Sequence, residues 1–400
     1  MRGNRAQACV RAARYEKLKA FKCPRWCGIR MDGGGLLDLL TFIMILAFFS
    51  YVSRELEVRR LASEIELYLT LFKAARDYAI SSAVRKFGEV AAKSSLRVNL
   101  SDLEARVKRL VETVTIPPES LDPFGFVRKL KHVLRSEELS LKEEVKREAP
   151  AASKGEVEVI ADLVGVARGL NLIFKYVNHN YVLAKRFKSY WLLLQLDALL
   201  PFIAEEVRAY ESAVEALLKQ APIGDSAGPL VLSMLAKELK AEPVPLGVPD
   251  TCVYRASYEG RELVLVKAEG PGSSVGRLDE AVRRVLAAWG SSLSLVVTID
   301  AMLKLEGETS GEVVEGYGVA IGGTGVEKYG IEELLAEYDL TPYAILIKMS
   351  AEEALMPMSK ELYEACVKAK EEAKKVVLAN VKPGETALIV GVGNTLGVGN

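Results

Sequence analysis

The stretch Leu36–Val52, LLDLLTFIMILAFFSYV, constrains this chain more than any other segment, because so apolar a run has few environments open to it. It carries one charge, Asp38, near its start, and residues 39–53 carry none. At about 1.5 Å per residue the run reaches roughly 26 Å as a helix, slightly less than a hydrocarbon core of about 30 Å. Gly33 to Gly35 flank it on one side, and Phe48, Phe49 and Tyr51 supply rings suited to the far interface. A buried core helix is the alternative. Position near the N-terminus favours an anchor, and the missing small-x-small motif makes it an uncleaved one.

Sidedness depends on where translation begins. Residues 1–30 hold nine Lys or Arg against the single acid Glu16, so a start at Met1 places the following body outside by the positive-inside rule. A start at Met31, directly before DGGGLLDLL, leaves Arg54, Arg59 and Arg60 as the nearest cations and places the body in the cytoplasm. The body favours Met31, since only Cys252 and Cys366 of the five cysteines lie in it and no export signal precedes it. Cys9, Cys23 and Cys27 belong to the basic leader; the Cys23–Cys27 spacing is wrong for a zinc pair, and no disulfide framework is present. Without the leader the chain has 44 basic and 52 acidic residues, which argues against a nucleic-acid partner. Three Gln and eight Asn in 400 residues suggest a thermophile.

Beyond the span, Val58, Leu61, Ile65, Tyr68, Phe72, Ala75 and Ala79 recur at three- and four-residue spacings, the stripe of one helical face. It suits a bundle helix or an oligomerising coiled-coil stalk, with the bundle preferred. Ser101 with Glu104 reads as a capping box opening a helix to Val114. A short helix is expected from Phe124 to Ser136, then a charged run at residues 140–155 that fades into a small-residue linker and reads as a solvated face, then two long helices between Val157 and Gln220 with a kink or break at Pro201. His132 and His179 lack ligand-spaced partners and read as surface residues.

Near Pro249 the pattern changes to short β runs punctuated by glycine. Cys252–Tyr258 and Glu262–Lys267 form a hairpin, and AEGPGSSVGR then leads into a helix near Leu278. Strand, glycine loop and helix in that order aim backbone N–H groups at an anion, although the closing Gly-Lys-Ser of a Walker loop is missing. Candidate ligand groups are Lys267, Glu269, Gly270, Gly272, Ser273, Gly276 and Arg277, with Gly322 and Gly323 in a second glycine loop and Gly393 and Asn394 in the closing GVGNTLGVGN. No helix follows that closing repeat here, so it reads as a flexible flap over the pocket. A strand Leu293–Thr298 ends at Asp300, followed by Lys304 and the acids Glu306, Glu308, Glu312 and Glu315. Asp300, Lys304 and Glu306 are the catalytic candidates, and Asp300 with Glu306 would hold Mg2+ against a phosphate. Asp225, in PIGDSAGP, is read either as reaching the same edge or as a helix cap. Strands at Glu315 onward, Tyr343–Met349 and Ala387–Val390, and helices from Ile331 and over Lys360–Val377, complete a mixed sheet.

The blocks PIGDSAGPL, VKAEGPGSSVGR, IDAMLKLEGETSGEVVEGYGVAIGGTGVEKYGIEE and VGVGNTLGVGN together resemble an uncharacterised archaeal family, a domain of unknown function with an N-terminal hydrophobic segment. That resemblance implies an archaeal source and a membrane anchor and supports Met31; it implies no activity or catalytic residue. The expected architecture is α+β: a leader at 1–30, an anchor at 31–53, a helical domain at 54–240 and a glycine-rich mixed α/β domain at 247–400. The expected function is membrane-anchored binding of a phosphorylated or nucleotide-like ligand with Mg2+. The alternative is a non-enzymatic scaffold whose helices form a homo-oligomer.

Overall fold

The computed structural model describes residues 35–93, 99–119, 121, 123–322 and 325–400, so the leader, Met31, its three cysteines and Gly323 lie outside the described residues. The chain divides into two compact units, residues 1–60 and Leu61–Asn400. Helix α1, Gly35–Ala92, contains the apolar run as one continuous element. Leu37, Phe42, Met44 and Phe49 on it are exposed. Among the described residues it is the one helix long and apolar enough to cross a membrane.

From Leu61 onward the stripe is the buried seam of a bundle: Leu61, Ile65, Phe72, Ala75 and Ala79 are each 1% exposed or less. The helices that follow are α2 (Leu100–Val111), α3 (Pro123–Glu148), α4 (Lys154–Arg186) and α5 (Tyr190–Lys219). The Arg76 guanidinium lies 4.7 Å above the Phe174 ring, and Tyr181 donates its hydroxyl proton to Glu66, fixing α4 along this part of α1. Gly169 of α4 leaves room for the Tyr210 ring of α5.

Three sequence expectations fail here for identifiable reasons. The cap of α2 is Asn99, whose side chain accepts from the Ser101 N–H, and Ser101 itself is helical. The helix expected to end at Ser136 runs on to Glu148, because charges of its second half pair across helices: Arg106 meets Glu144 and Glu148, and Arg168 meets Glu137; the small-residue linker follows at residues 149–153. Pro201 does not break α5; Leu193, Leu196, Leu200 and Val207 are buried on both sides of it, and that packing offsets the lost backbone hydrogen bond.

A 3-10 turn, Gly224–Ser226, leads into α6 (Ala227–Glu238), and then β1 (Glu242–Pro243), β2 (Thr251–Tyr258) and β3 (Arg261–Ala268) follow. The rest is α7 (Leu278–Trp289), β4 (Leu293–Leu303), β5 (Val313–Tyr317), α8 (Val326–Glu337), β6 (Pro342–Met349), α9 (Ala351–Leu355), α10 (Lys360–Asn380) and β7 (Thr386–Gly391). The sheet order is β1-β2-β3-β7-β4-β6-β5. Its inner four strands are parallel and its flanks antiparallel, the mixed sheet expected from sequence.

Alternation decides which helix covers which face. Leu263, Leu265, Val297, Ile299 and Ile389 meet α6 and α10, whereas Val264, Val266, Val296, Leu388 and Val390 meet α7 and α8. Both faces of the parallel strands are therefore dry, which is why these strands read as continuous apolar runs. Helix α6 packs on the sheet, although sequence spacing placed it with the helical middle.

Candidate functional site

Parallel strands end together, and ligands of such sheets lie beyond their carboxyl ends. Here β4 outruns β7: their register ends at Ile299 opposite Gly391, and Asp300 is the next residue of β4. Its carboxylate accepts from the N–H of Ala301 at 2.7 Å and of Gly322 at 3.2 Å, and only 4% of the residue is exposed. Asp225, in the turn before α6, accepts from the Asn394 N–H at 2.9 Å. Burial pushes Asp300 up to about 7, and the neighbouring charge of Asp225 adds to the shift. Burial also raises Asp225, against the Asn394 hydrogen bond. Two carboxylates thus share one poorly solvated place, where repulsion favours keeping a proton or taking a cation.

They line a cavity of about 490 Å³ with Val275 and Leu278 at the start of α7, Ile321, Gly322, Gly325 and Val326 before and within α8, and Val392 and Gly393 after β7. Helix α3 closes the other side with Lys131, Leu134, Arg135 and Glu138. Lys131 and Arg135, one turn apart, both reach Asp279 in the first turn of α7, Arg135 at 3.2 Å. Asp279 is 5% exposed, so its charge depends on this pair. Glu327 of α8 also lines the wall, raised by burial and drawn down by Arg135 and Lys131. Burial lowers Lys131 and Arg135 from their usual values. The cavity therefore has a carboxylate floor, a cationic wall and apolar sides. Among the described residues no cluster of three or more His, Cys, Asp and Glu side chains is arranged to hold a metal by itself.

Of the residues expected from sequence, the structure brings Asp225, Asp300, Gly322 and Gly393 to this cavity. Lys267, Glu269, Gly270, Gly272, Ser273, Gly276, Arg277 and Asn394 lie outside it, where the loop after β3 meets the closing repeat, and Glu269, Gly270 and Gly272 line a second cavity of about 360 Å³. There the closing repeat is packed core, not a flap: Val392, Leu396 and Val398 are buried, and Thr395 is 0% exposed. The Thr395 hydroxyl meets the carbonyls of Glu269, Gly272 and Ser274 at 2.9 to 3.1 Å. Gly397 N–H donates to Pro271, Asn394 pairs with the Ser273 hydroxyl, and Asn400 accepts from the Gly270 N–H and the Lys267 ammonium. A side chain on Gly270 would overlap the Val398 carbonyl, and one on Gly393, at φ +126°, would overlap that of Asp225. These glycines let backbone meet backbone, and the loop carbonyls and amides named here are used within the fold.

Lys267 is 1% exposed and lowered by burial; Glu269 pairs with Lys154 of α4, and Arg277 caps α7 near Glu280 at 3.9 Å. The acidic series after β4 is spent elsewhere. Lys304 donates to the Glu308 carbonyl, Glu308 and Glu312 hold Lys348 at 2.6 and 2.8 Å, Glu315 accepts from Tyr343, and Glu306 is exposed and away from the cavity. Sequence reasoning missed Lys131, Arg135, Asp279 and Glu327. The i,i+4 basic pair on α3 and the acid opening α7 are its only local traces, and both resemble solvated helix charges.

Fold and site define a class: a helical bundle joined to a seven-stranded α/β sheet, with an acidic and basic cavity at the carboxyl edge. A family model described as the N-terminal domain of a protein of unknown function (DUF1512) matches residues 39–220, and one described as the DUF1512 C-terminal domain matches residues 223–399. The chain belongs to the DUF1512 family. The two matches meet between residues 220 and 223, so α6 falls with the sheet it packs on. No curated protein matches the chain. Among solved structures, a proteasome-assembly chaperone homologue of Mycobacterium tuberculosis aligns over 41% of this chain and 84% of its own, at 14% identity and a TM-score of 0.29. So loose a likeness carries no argument about activity.

Proposed function

We propose that this is a membrane-anchored protein, its large C-terminal part cytoplasmic, that binds a small phosphorylated or nucleotide-like ligand with Mg2+ in the cavity at the carboxyl edge of the sheet. The paired carboxylates Asp225 and Asp300 carry the reading. Mg2+ is commonly held by one or two carboxylates together with substrate phosphates and water, so this pair needs no third protein acid. A bound cation would also offset the burial that raises both groups and the Asp225 charge that adds to the rise at Asp300.

Across the cavity, Lys131 and Arg135 supply positive charge and α8 presents its N-terminus at Gly325, whose lack of a side chain leaves it no cap of its own. Leu134, Val275, Leu278, Ile321 and Val326 give a ring or sugar an apolar wall. Helix α1 supports the anchor by its length and exposed apolar side chains.

Thermal unfolding of the full chain against a panel of nucleotides and sugar phosphates, with and without Mg2+, tests the ligand reading. Stabilisation that requires both Mg2+ and phosphate, and that is lost in Asp225→Asn and in Asp300→Asn, supports it. A flat response across the panel in the wild type sinks it.

A further inference from the structure

The turn joining α4 to α5 combines exposed rings with a run of basic residues. Residues 185–188 read Lys-Arg-Phe-Lys, and no acid occurs from Asn180 to Leu196. Phe187 is 65% exposed and Trp191, at the start of α5, 67%. Leu199 and Phe202 continue Trp191 along one face of α5, eight and eleven residues on, and they are exposed as well. The Arg186 guanidinium sits 5.8 Å from the Phe187 ring centre, while Lys185 is shared with Glu66 at 3.5 Å. Exposed rings with basic side chains beside them are the composition of a membrane interface, where rings enter the headgroup layer and ammonium and guanidinium groups meet lipid phosphates.

We infer that the α4–α5 turn docks on an anionic lipid surface, with Phe187 and Trp191 entering the headgroup layer and Arg186 and Lys188 contacting lipid phosphates. The inference rests on the membrane location proposed above and adds a second point of contact to it. Charge selects lipid over a second copy of the chain: two such turns brought together would face like charges, whereas anionic headgroups complement them.

The test uses the full chain in nanodiscs of phosphatidylcholine with or without phosphatidylglycerol, reading Trp191 emission as the difference from a Trp191→Phe variant. Lipids brominated along their chains are expected to quench Trp191 in the anionic discs and to quench it less in neutral ones. Arg186→Glu with Lys188→Glu should remove the difference between the discs, as should about 1 M salt, where the Debye length falls to about 3 Å. A chain that enters the discs with Trp191 unquenched overturns the docking alone. Protection of Trp191 by self-association, seen as a dimer cross-linked through this face, overturns it in favour of a second copy. A chain that fails to enter discs overturns the membrane location beneath it.

Discussion

Replacing Asp300 by Asn should make the protein's stability less sensitive to pH, and the size of the effect follows from its surroundings. Asp300 is 4% exposed, beside Asp225, and holds its proton up to about 7 instead of its ordinary value of 3.8. The folded state therefore keeps a proton that the unfolded chain releases. A carboxylate raised in this way contributes stability that is full below the unfolded value and is lost as pH climbs through the folded one. Between about pH 4 and 7 the loss runs at about 1.4 kcal/mol per pH unit, or about 4 kcal/mol in all, and above that it levels off. Asn is nearly isosteric with the protonated acid and can still accept from Ala301 N–H. Wild type and Asp300→Asn should therefore match only below about pH 4, with the variant ahead by about 4 kcal/mol near pH 8. Urea unfolding across that range measures the difference. A stability gap between the two that does not change with pH would refute the reasoning, since Asp300 would then ionise as an ordinary surface acid.

Thr395→Val removes a fully buried hydroxyl from the carbonyls of Glu269, Gly272 and Ser274 and should cost about 1–3 kcal/mol in urea unfolding. Gly393→Ala, which meets the Asp225 carbonyl at positive φ, should cost more than that and lower the soluble yield; a variant as stable as wild type would return the closing repeat to the status of a flap. Lys131→Ala with Arg135→Ala leaves the Asp279 carboxylate buried and alone, a loss of about 3–5 kcal/mol that a further Asp279→Asn should largely restore. If that third change restores nothing, the α3 cations act other than by neutralising Asp279.

The legible parts of this protein are those whose signal is local. Short continuous apolar runs such as Leu263–Lys267 and Leu293–Thr298 marked the strands, and the stripe from Leu61 to Ala79 marked a bundle helix. Asp300 stood out because a strand end is where α/β chemistry collects. The order β3-β7-β4-β6 was not legible, since it depends on pairing between distant segments, Glu262 with Thr386 and Thr298 with Val390 among them. Lys131 and Arg135 were missed for the same reason: on α3 they are two more helix charges, and only the fold brings Asp279 to them from 144 residues or more away. The closing GVGNTLGVGN misled because its glycines resemble a phosphate loop. Its apolar Val392, Leu396 and Val398 were the trace of a segment that packs, and the glycines serve close backbone approach.

Crystals soaked with Mn2+ in place of Mg2+ and a nucleoside phosphate, measured for anomalous scattering, test the central claim most directly. The account predicts a manganese peak between the carboxylates of Asp225 and Asp300, with phosphate density on the side of Lys131 and Arg135. Manganese bound elsewhere, with the cavity between these four side chains holding only water, would contradict it.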